Sequence, residues 1–295
     1  MEFTRRDCLI GAGAAVAGAT LGPRLRAEQT PQTAPGQAGL KIGMCDWSMK
    51  KEDPSAFDLA AQMGLDGVEV SIGEPDNNLW LRRPEVQKRY LEAAAKTRLA
   101  IPSMAMGLLN HVPLMSEPRA ALWVADTIEV APKLGARCIL LAFFGKGELR
   151  AESAIDMQRV TDALTELAPR AEKAGVILGI ESYLSAEAHL KIIDAVKSKA
   201  VQVYYDVFNS GVTRKHDVLK EIKLLGADRI CQVHFKERTP LLGASKAVDW
   251  PAVAGTLREI RYPGWIVLET SSPGDIVADT RANIAYVRKL FEATT

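Results

Sequence analysis

Val176-Ile-Leu-Gly-Ile-Glu-Ser182 is a short apolar, β-rich run that ends abruptly on a carboxylate, Glu181. A run this brief and apolar reads as a strand buried on both faces, as strands of parallel sheets are. The pattern recurs three times downstream. Val201-Gln-Val-Tyr-Tyr-Asp206 ends on Asp206, Ile230-Cys-Gln-Val-His234 on His234, and Trp265-Ile-Val-Leu-Glu269 on Glu269. If these strands are parallel neighbours, four potential metal ligands converge at one end of one sheet.

Working outward, the chain from Leu40 alternates short apolar runs with longer amphipathic ones, the signature of repeated βα units. Eight units are expected. Strand one spans about 41–47, and its helix follows Asp53-Pro54, a capping residue with proline in the first turn. Strand two is Gly67 to Ile72, strand three Ile101 to Gly107, and strand four Cys138 to Phe144, followed by a Gly145-Lys-Gly147 loop. Helices are expected near 84–98, 117–134, up to Gly175, 186–197, 214–225, 251–260 and 275–292. Gly135, Gly175, Gly226 and Gly264 each separate a helix from the next strand, as helix C-caps do.

Such units can close into a barrel or stay open as a doubly wound sheet. No strand runs into the G-x-G-x-x-G turn of a dinucleotide-binding sheet, because Gly11-Ala-Gly13 and Gly145-Lys-Gly147 both lack the third glycine. The reading is therefore a (β/α)8 TIM barrel over residues 40–295. Barrel chemistry sits at the C-terminal strand ends, where Glu181, Asp206, His234 and Glu269 fall.

Composition agrees. The 295 residues are 47% hydrophobic and 25% charged, enough for one large core. Residues 1–27 resemble a twin-arginine signal peptide, with Thr4-Arg5-Arg6-Asp7 ahead of a mild Ala/Gly-rich stretch and a weak cleavage site at Ala27. Residues 28–39 read as a flexible linker. Removing the leader takes Arg5, Arg6, Arg24 and Arg26 against Glu2 and Asp7, so a formal charge of +1 becomes about −1. A neutral domain lacks the basic footprint of nucleic-acid binding. The expectation is an exported, periplasmic protein with no stable membrane anchor after processing. Cys45, Cys138 and Cys231 fall in buried strands and read as small core residues.

Two glutamates, an aspartate and a histidine form an oxygen and nitrogen set suited to Mn²⁺ first, with Mg²⁺, Co²⁺ or Zn²⁺ as alternatives. The local strings Gly-Ile-Glu-Ser, Tyr-Tyr-Asp-Val-Phe-Asn, Gln-Val-His-Phe-Lys-Glu and Val-Leu-Glu-Thr resemble the xylose-isomerase-like barrel superfamily. More narrowly they are similar to its sugar isomerase/epimerase branch, which includes the ketose 3-epimerases. The resemblance spans about residues 40–293. It implies that Glu181 and Glu269 are acid and base as well as ligands, while Asp206 and His234 mainly hold the ion. Proton transfer through a metal-bound enediolate follows from it. Two positions depart from the pattern: Asn209 stands where the epimerases commonly have a substrate-binding histidine, and Pro240 where they have an arginine, with Arg238 as a stand-in.

Further candidates for substrate binding are His111, Lys236, Glu237 and Trp47. Phe143 and Phe144 are candidates for an apolar wall, and Lys146 for a phosphate contact. Glu69 on strand two reads as a polar support or, more simply, as an ion-pair partner of Lys41 or another basic neighbour. The expected partner is a small sugar or keto-glycoside, and a homo-oligomer is left open. Two other functions use the same scaffold: a 3-keto-glycoside lyase acting by β-elimination, and a non-catalytic carbohydrate-binding barrel. The apurinic-site endonucleases of the superfamily use a histidine-rich three-metal cluster, which a chain with four histidines on a neutral surface does not match.

Overall fold

The computed structural model describes residues 39–292; the expected leader at 1–27 and all but the last residue of the expected linker at 28–39 lie outside the described residues. Eight parallel strands close into a barrel in sequence order. They are β1 (Ile42–Cys45), β2 (Gly67–Ser71), β3 (Ser103–Met106), β4 (Cys138–Phe143), β5 (Ile177–Ser182), β6 (Val201–Asp206), β7 (Ile230–Phe235) and β8 (Ile266–Leu268). The helices are α1 (Ala56–Met63), α2 (Pro84–Thr97), α3 (Pro118–Val130), α4 (Ala154–Ala174), α5 (Ala186–Val196), α6 (Val218–Leu225), α7 (Trp250–Glu259) and α8 (Ile276–Phe291). No helix among the described residues is long and apolar enough to cross a membrane.

Strand periodicity divides each strand between two environments. Ile42 and Met44, Val68 and Val70, Ile139, Leu141 and Phe143, Leu178 and Ile180, Val203 and Tyr205, Val233 and Phe235, and Ile266 and Leu268 face the helix layer in the large core. The alternate positions face the barrel interior, where a small cluster of Cys45, Ala105, Cys138, Leu140, Ala142, Tyr204 and Val267 packs. Interior space is scarce at Gly179, where an added Cβ would lie 2.7 Å from Cys231 Sγ and 3.4 Å from Cys138 Sγ. The two thiols, 3.5 Å apart, fill the room that this glycine leaves.

Several boundaries differ from the sequence expectation. Strand one stops at Cys45, and Asp46 turns aside to accept from Ser71 N–H (2.7 Å) and Ser71 Oγ (2.7 Å). The third helix gives way at Ala131 to a tighter turn through Leu134, since Pro132 has no N–H to continue the ladder. The sixth helix begins at Val218 instead of 214: a wide turn ends at Thr213, and Lys215, at φ 61°, interrupts any helical path before Asp217. Asp217 caps it by accepting from Lys220 N–H.

Candidate metal centre

Because Glu181, Asp206 and His234 share the inward parity of their strands, and Glu269 continues that of β8, the four side chains meet at the C-terminal rim. Asp206 pairs with His234 in the register between β6 and β7. His234 Nδ1 is 2.9 Å from Glu181 Oε1, 3.5 Å from Glu269 Oε2 and 3.9 Å from Asp206 Oδ2. One ligand atom from each of the four residues lies within 4.8 Å of the others. Glu181, Asp206 and His234 are buried, and Glu269 is only partly exposed.

Three carboxylates in so small and dry a space repel one another unless a cation joins them. Lys236 supplies one positive charge, its Nζ 2.6 Å from Glu269 Oε2 and 2.9 Å from Asp206 Oδ2. Among the described residues Asp206 Oδ2 still has no partner in hydrogen-bonding geometry. Burial pushes Glu181 up to about 7 despite the adjacent His234. Burial also raises Asp206, against the pull of Lys236. At Glu269 burial acts upward too, but His234 and Lys236 outweigh it and hold the carboxyl below its ordinary range. A hard divalent ion suits this oxygen-rich, under-donated set, with the imidazole as its nitrogen ligand.

The other expected site residues separate into two groups. Trp47 Nε1 donates to Glu269 Oε1 (3.2 Å), so Trp47 and Lys236 both hold that carboxylate. Asn209 is buried, and its backbone N–H donates to Asp206 Oδ1 at 2.6 Å, steering the aspartate. Phe144 sits on the rim in edge contact with Tyr183 (centroids 4.7 Å apart). By contrast, His111 is a half-exposed ion-pair partner of Glu74 at 3.0 Å. Arg238 is exposed in a loop, and Lys146 is exposed in the short 3-10 turn Gly145–Gly147.

Two expectations are corrected by the packing, and a third is decided by it. Glu237 does not reach toward substrate: it accepts from Gly243 N–H (2.9 Å), Ser245 Oγ (2.6 Å) and Trp250 Nε1 (2.6 Å), and so fastens the loop before α7. Phe143 faces the helix layer and walls nothing at the rim. Glu69 takes the first of its two readings, a polar support inside the barrel: Lys41 stacks over Trp265, and the basic neighbour of Glu69 is His234, whose Nε2 lies 3.7 Å from Glu69 Oε1. Glu69 lies fully buried inside the barrel, bonded to Ser103 Oγ at 2.6 Å and to the Tyr204 hydroxyl. The sequence reading missed Ser103, Tyr204 and Gln232. Their signal is polarity at inward-facing positions of buried strands.

A family model described as the xylose isomerase-like TIM barrel matches residues 57–290. The chain belongs to that family. Within it, the chain is 25% identical over 262 residues to the 2-epi-5-epi-valiolone 7-phosphate 2-epimerase of Actinoplanes sp., covering 84% of this chain and 94% of that protein. It is 27% identical over 256 residues to the L-ribulose-5-phosphate 3-epimerase UlaE of Escherichia coli, covering 80% and 87%. Among solved structures it resembles D-psicose 3-epimerase from Clostridium cellulolyticum H10, determined with D-tagatose, at TM-score 0.71 and 15% identity over 86% of this chain and 100% of that one. At that identity the likeness speaks for the fold. The two sequence relatives are sugar or sugar-like phosphate epimerases and support an enzyme here.

Proposed function

We propose that the protein is a divalent-metal-dependent sugar epimerase or isomerase that moves the proton on a carbon beside a carbonyl. The observation that carries this reading is the convergence of Glu181 from β5 and Glu269 from the end of β8 on the point that Asp206 and His234 also reach. Asp206 and His234 would hold the ion, with the two glutamates completing its ligands. The ion, Mn²⁺ by preference, supplies Lewis-acid polarisation of the substrate carbonyl. One glutamate accepts the α-proton, and the C–H electron pair passes into the substrate as the carbonyl oxygen takes up charge. The other glutamate, standing on a different strand, returns a proton to the same carbon, so the configuration there inverts. Lys236 and Trp47 keep Glu269 in place, and burial excludes water from Glu181.

Both sequence relatives are named for phosphorylated substrates, whereas the leader read in residues 1–27 supports a periplasmic enzyme that meets free sugars and glycosides. The test therefore covers free ketoses, ketose phosphates and 3-keto-glucosides in D₂O with Mn²⁺, followed by NMR. Deuterium gained beside the carbonyl, with the carbon skeleton and any aglycone intact, is the expected result. Release of an aglycone assigns β-elimination instead. Absence of both across all three classes contradicts the reading.

A further inference from the structure

His234 has two ring nitrogens, and the fold gives each its own surroundings. Nδ1 faces the rim carboxylates. Nε2 faces inward, 3.7 Å from Glu69 Oε1 and 3.4 Å from Cys45 Sγ. An imidazole that offers the Nδ1 lone pair to a cation carries its proton on Nε2. That proton lies where His234, Glu69 and Cys45 are all 0% exposed, so its acceptor must be protein.

Glu69 is built to be that acceptor. Its Oε2 receives Ser103 Oγ and Tyr204 OH, while the same two hydroxyls also face Gln232 Oε1 at 2.9 and 3.0 Å. The Gln232 amide is oriented by donation from its Nε2 to Pro102 O (3.1 Å). Each hydroxyl has one proton, so the pair serves Glu69 Oε2 and Gln232 Oε1 and leaves nothing for Glu69 Oε1. Among the described residues that oxygen is buried without a hydrogen-bond partner, a costly arrangement unless a donor turns toward it. A tilt of the imidazole by under about 1 Å brings Nε2–H into range. Cys45 is the competing neighbour, but a thiol is a weak acceptor. Tyr204 and Trp47, with ring centroids 4.5 and 6.2 Å from that of His234, hold the imidazole from two sides.

We propose that Glu69 is a positioning residue: it accepts the Nε2 proton of His234 and thereby holds the tautomer and ring orientation that present Nδ1 to the ion. This rests on the metal-dependent reading above and says how its nitrogen ligand is prepared. The test is ¹⁵N-histidine NMR of the full-length protein, free of ions and then saturated with diamagnetic Zn²⁺, together with Zn²⁺ and Mn²⁺ titration calorimetry. In the wild type, the His234 Nε2–H resonance is expected far downfield and slow to exchange, and to persist when Zn²⁺ binds. Glu69→Gln is expected to move that resonance upfield and to weaken ion binding about 10- to 100-fold. If Glu69→Gln does not fold, the wild-type spectra decide alone: a fast-exchanging Nε2–H, or zinc bound through Nε2, overturns the proposal. A resonance that Cys45→Ser moves and Glu69→Gln leaves in place assigns the proton to the thiol and overturns it as well. So does a second Zn²⁺ per chain that Cys45→Ser abolishes, since Glu69 would then be a ligand. Wild-type protein that binds neither ion contradicts the metal reading, while the Nε2–H resonance in ion-free protein still decides the Glu69 hydrogen bond.

Discussion

Glu237 and Asp206 are both buried carboxylates near the C-terminal rim, and they are served very differently. Both oxygens of Glu237 are supplied with donors, from the Gly243 and Ser245 backbone, the Ser245 hydroxyl, the Thr239 hydroxyl and the Trp250 indole. Glu221 is similar, receiving Ala186 N–H, Tyr205 OH and Ser210 Oγ. Asp206 has one backbone N–H on Oδ1, while among the described residues its Oδ2 makes no well-aligned hydrogen bond and has only the ammonium of Lys236, 2.9 Å away and shared with Glu269, with two further acids close by. A carboxylate whose donors all come from the protein holds the fold together. One left short of donors beside other acids is arranged for a cation from outside.

The strongest way to break this distinction is to neutralise acids of each kind. Glu181→Gln and Glu269→Gln should each lower solvent deuterium exchange into substrate by about 10²- to 10⁴-fold while the protein still folds, as read by exchange NMR and circular dichroism. Wild-type exchange in either variant removes that glutamate from the acid/base pair. Glu237→Ala should do the reverse, costing about 3 kcal/mol in a urea melt by stranding several buried donors, with exchange retained per folded molecule.

A histidine whose two nitrogens are both partnered makes stability depend on pH. His189 is buried and neutral: Nδ1 donates to Ser185 O (3.1 Å), and Nε2 lies 2.9 Å from Ser182 Oγ, which donates to it. Burial chiefly lowers its pKa from 6.5 to about 4. The unfolded chain therefore binds the proton more readily. The stabilisation is complete above pH 6.5 and is lost as pH falls through about 4, a change of about 3 kcal/mol. Denaturant melts between pH 7 and 4 should show that slope, and His189→Gln should flatten it. The smallest effect belongs to Trp47→Phe, which removes one hydrogen bond to Glu269. It should lower kcat by roughly 5-fold, equivalent to about 1 kcal/mol, and a larger loss would mean that the indole contacts substrate.

The barrel and its acid cluster were legible because strand parity and strand ends are local properties. Four runs ending on ligand-type residues state the convergence without any tertiary information. Phe143 and Phe144 show what a finer use of parity adds: adjacent in sequence, they face opposite layers, and only Phe144 reaches the rim. Partners across the barrel are another matter. Glu69 reads from sequence as an inward polar support or as an ion-pair partner of Lys41 or another basic neighbour, and nothing local decides between them, because its partners Ser103 and Tyr204 lie 34 and 135 residues away. Glu237 follows a candidate ligand closely and reads as part of the site. Its role depends on a loop that folds back to it through Gly243, Ser245 and Trp250, and no periodicity announces that closure.

On this reading the four rim side chains bind one divalent ion. That binding is tested most directly by stripping the purified protein with chelator, titrating it with Mn²⁺ and counting bound metal by elemental analysis, in parallel with Asp206→Asn. The account predicts one ion per wild-type chain and loss of that binding in the variant. No uptake by the wild type, or equal uptake by the variant, would contradict it.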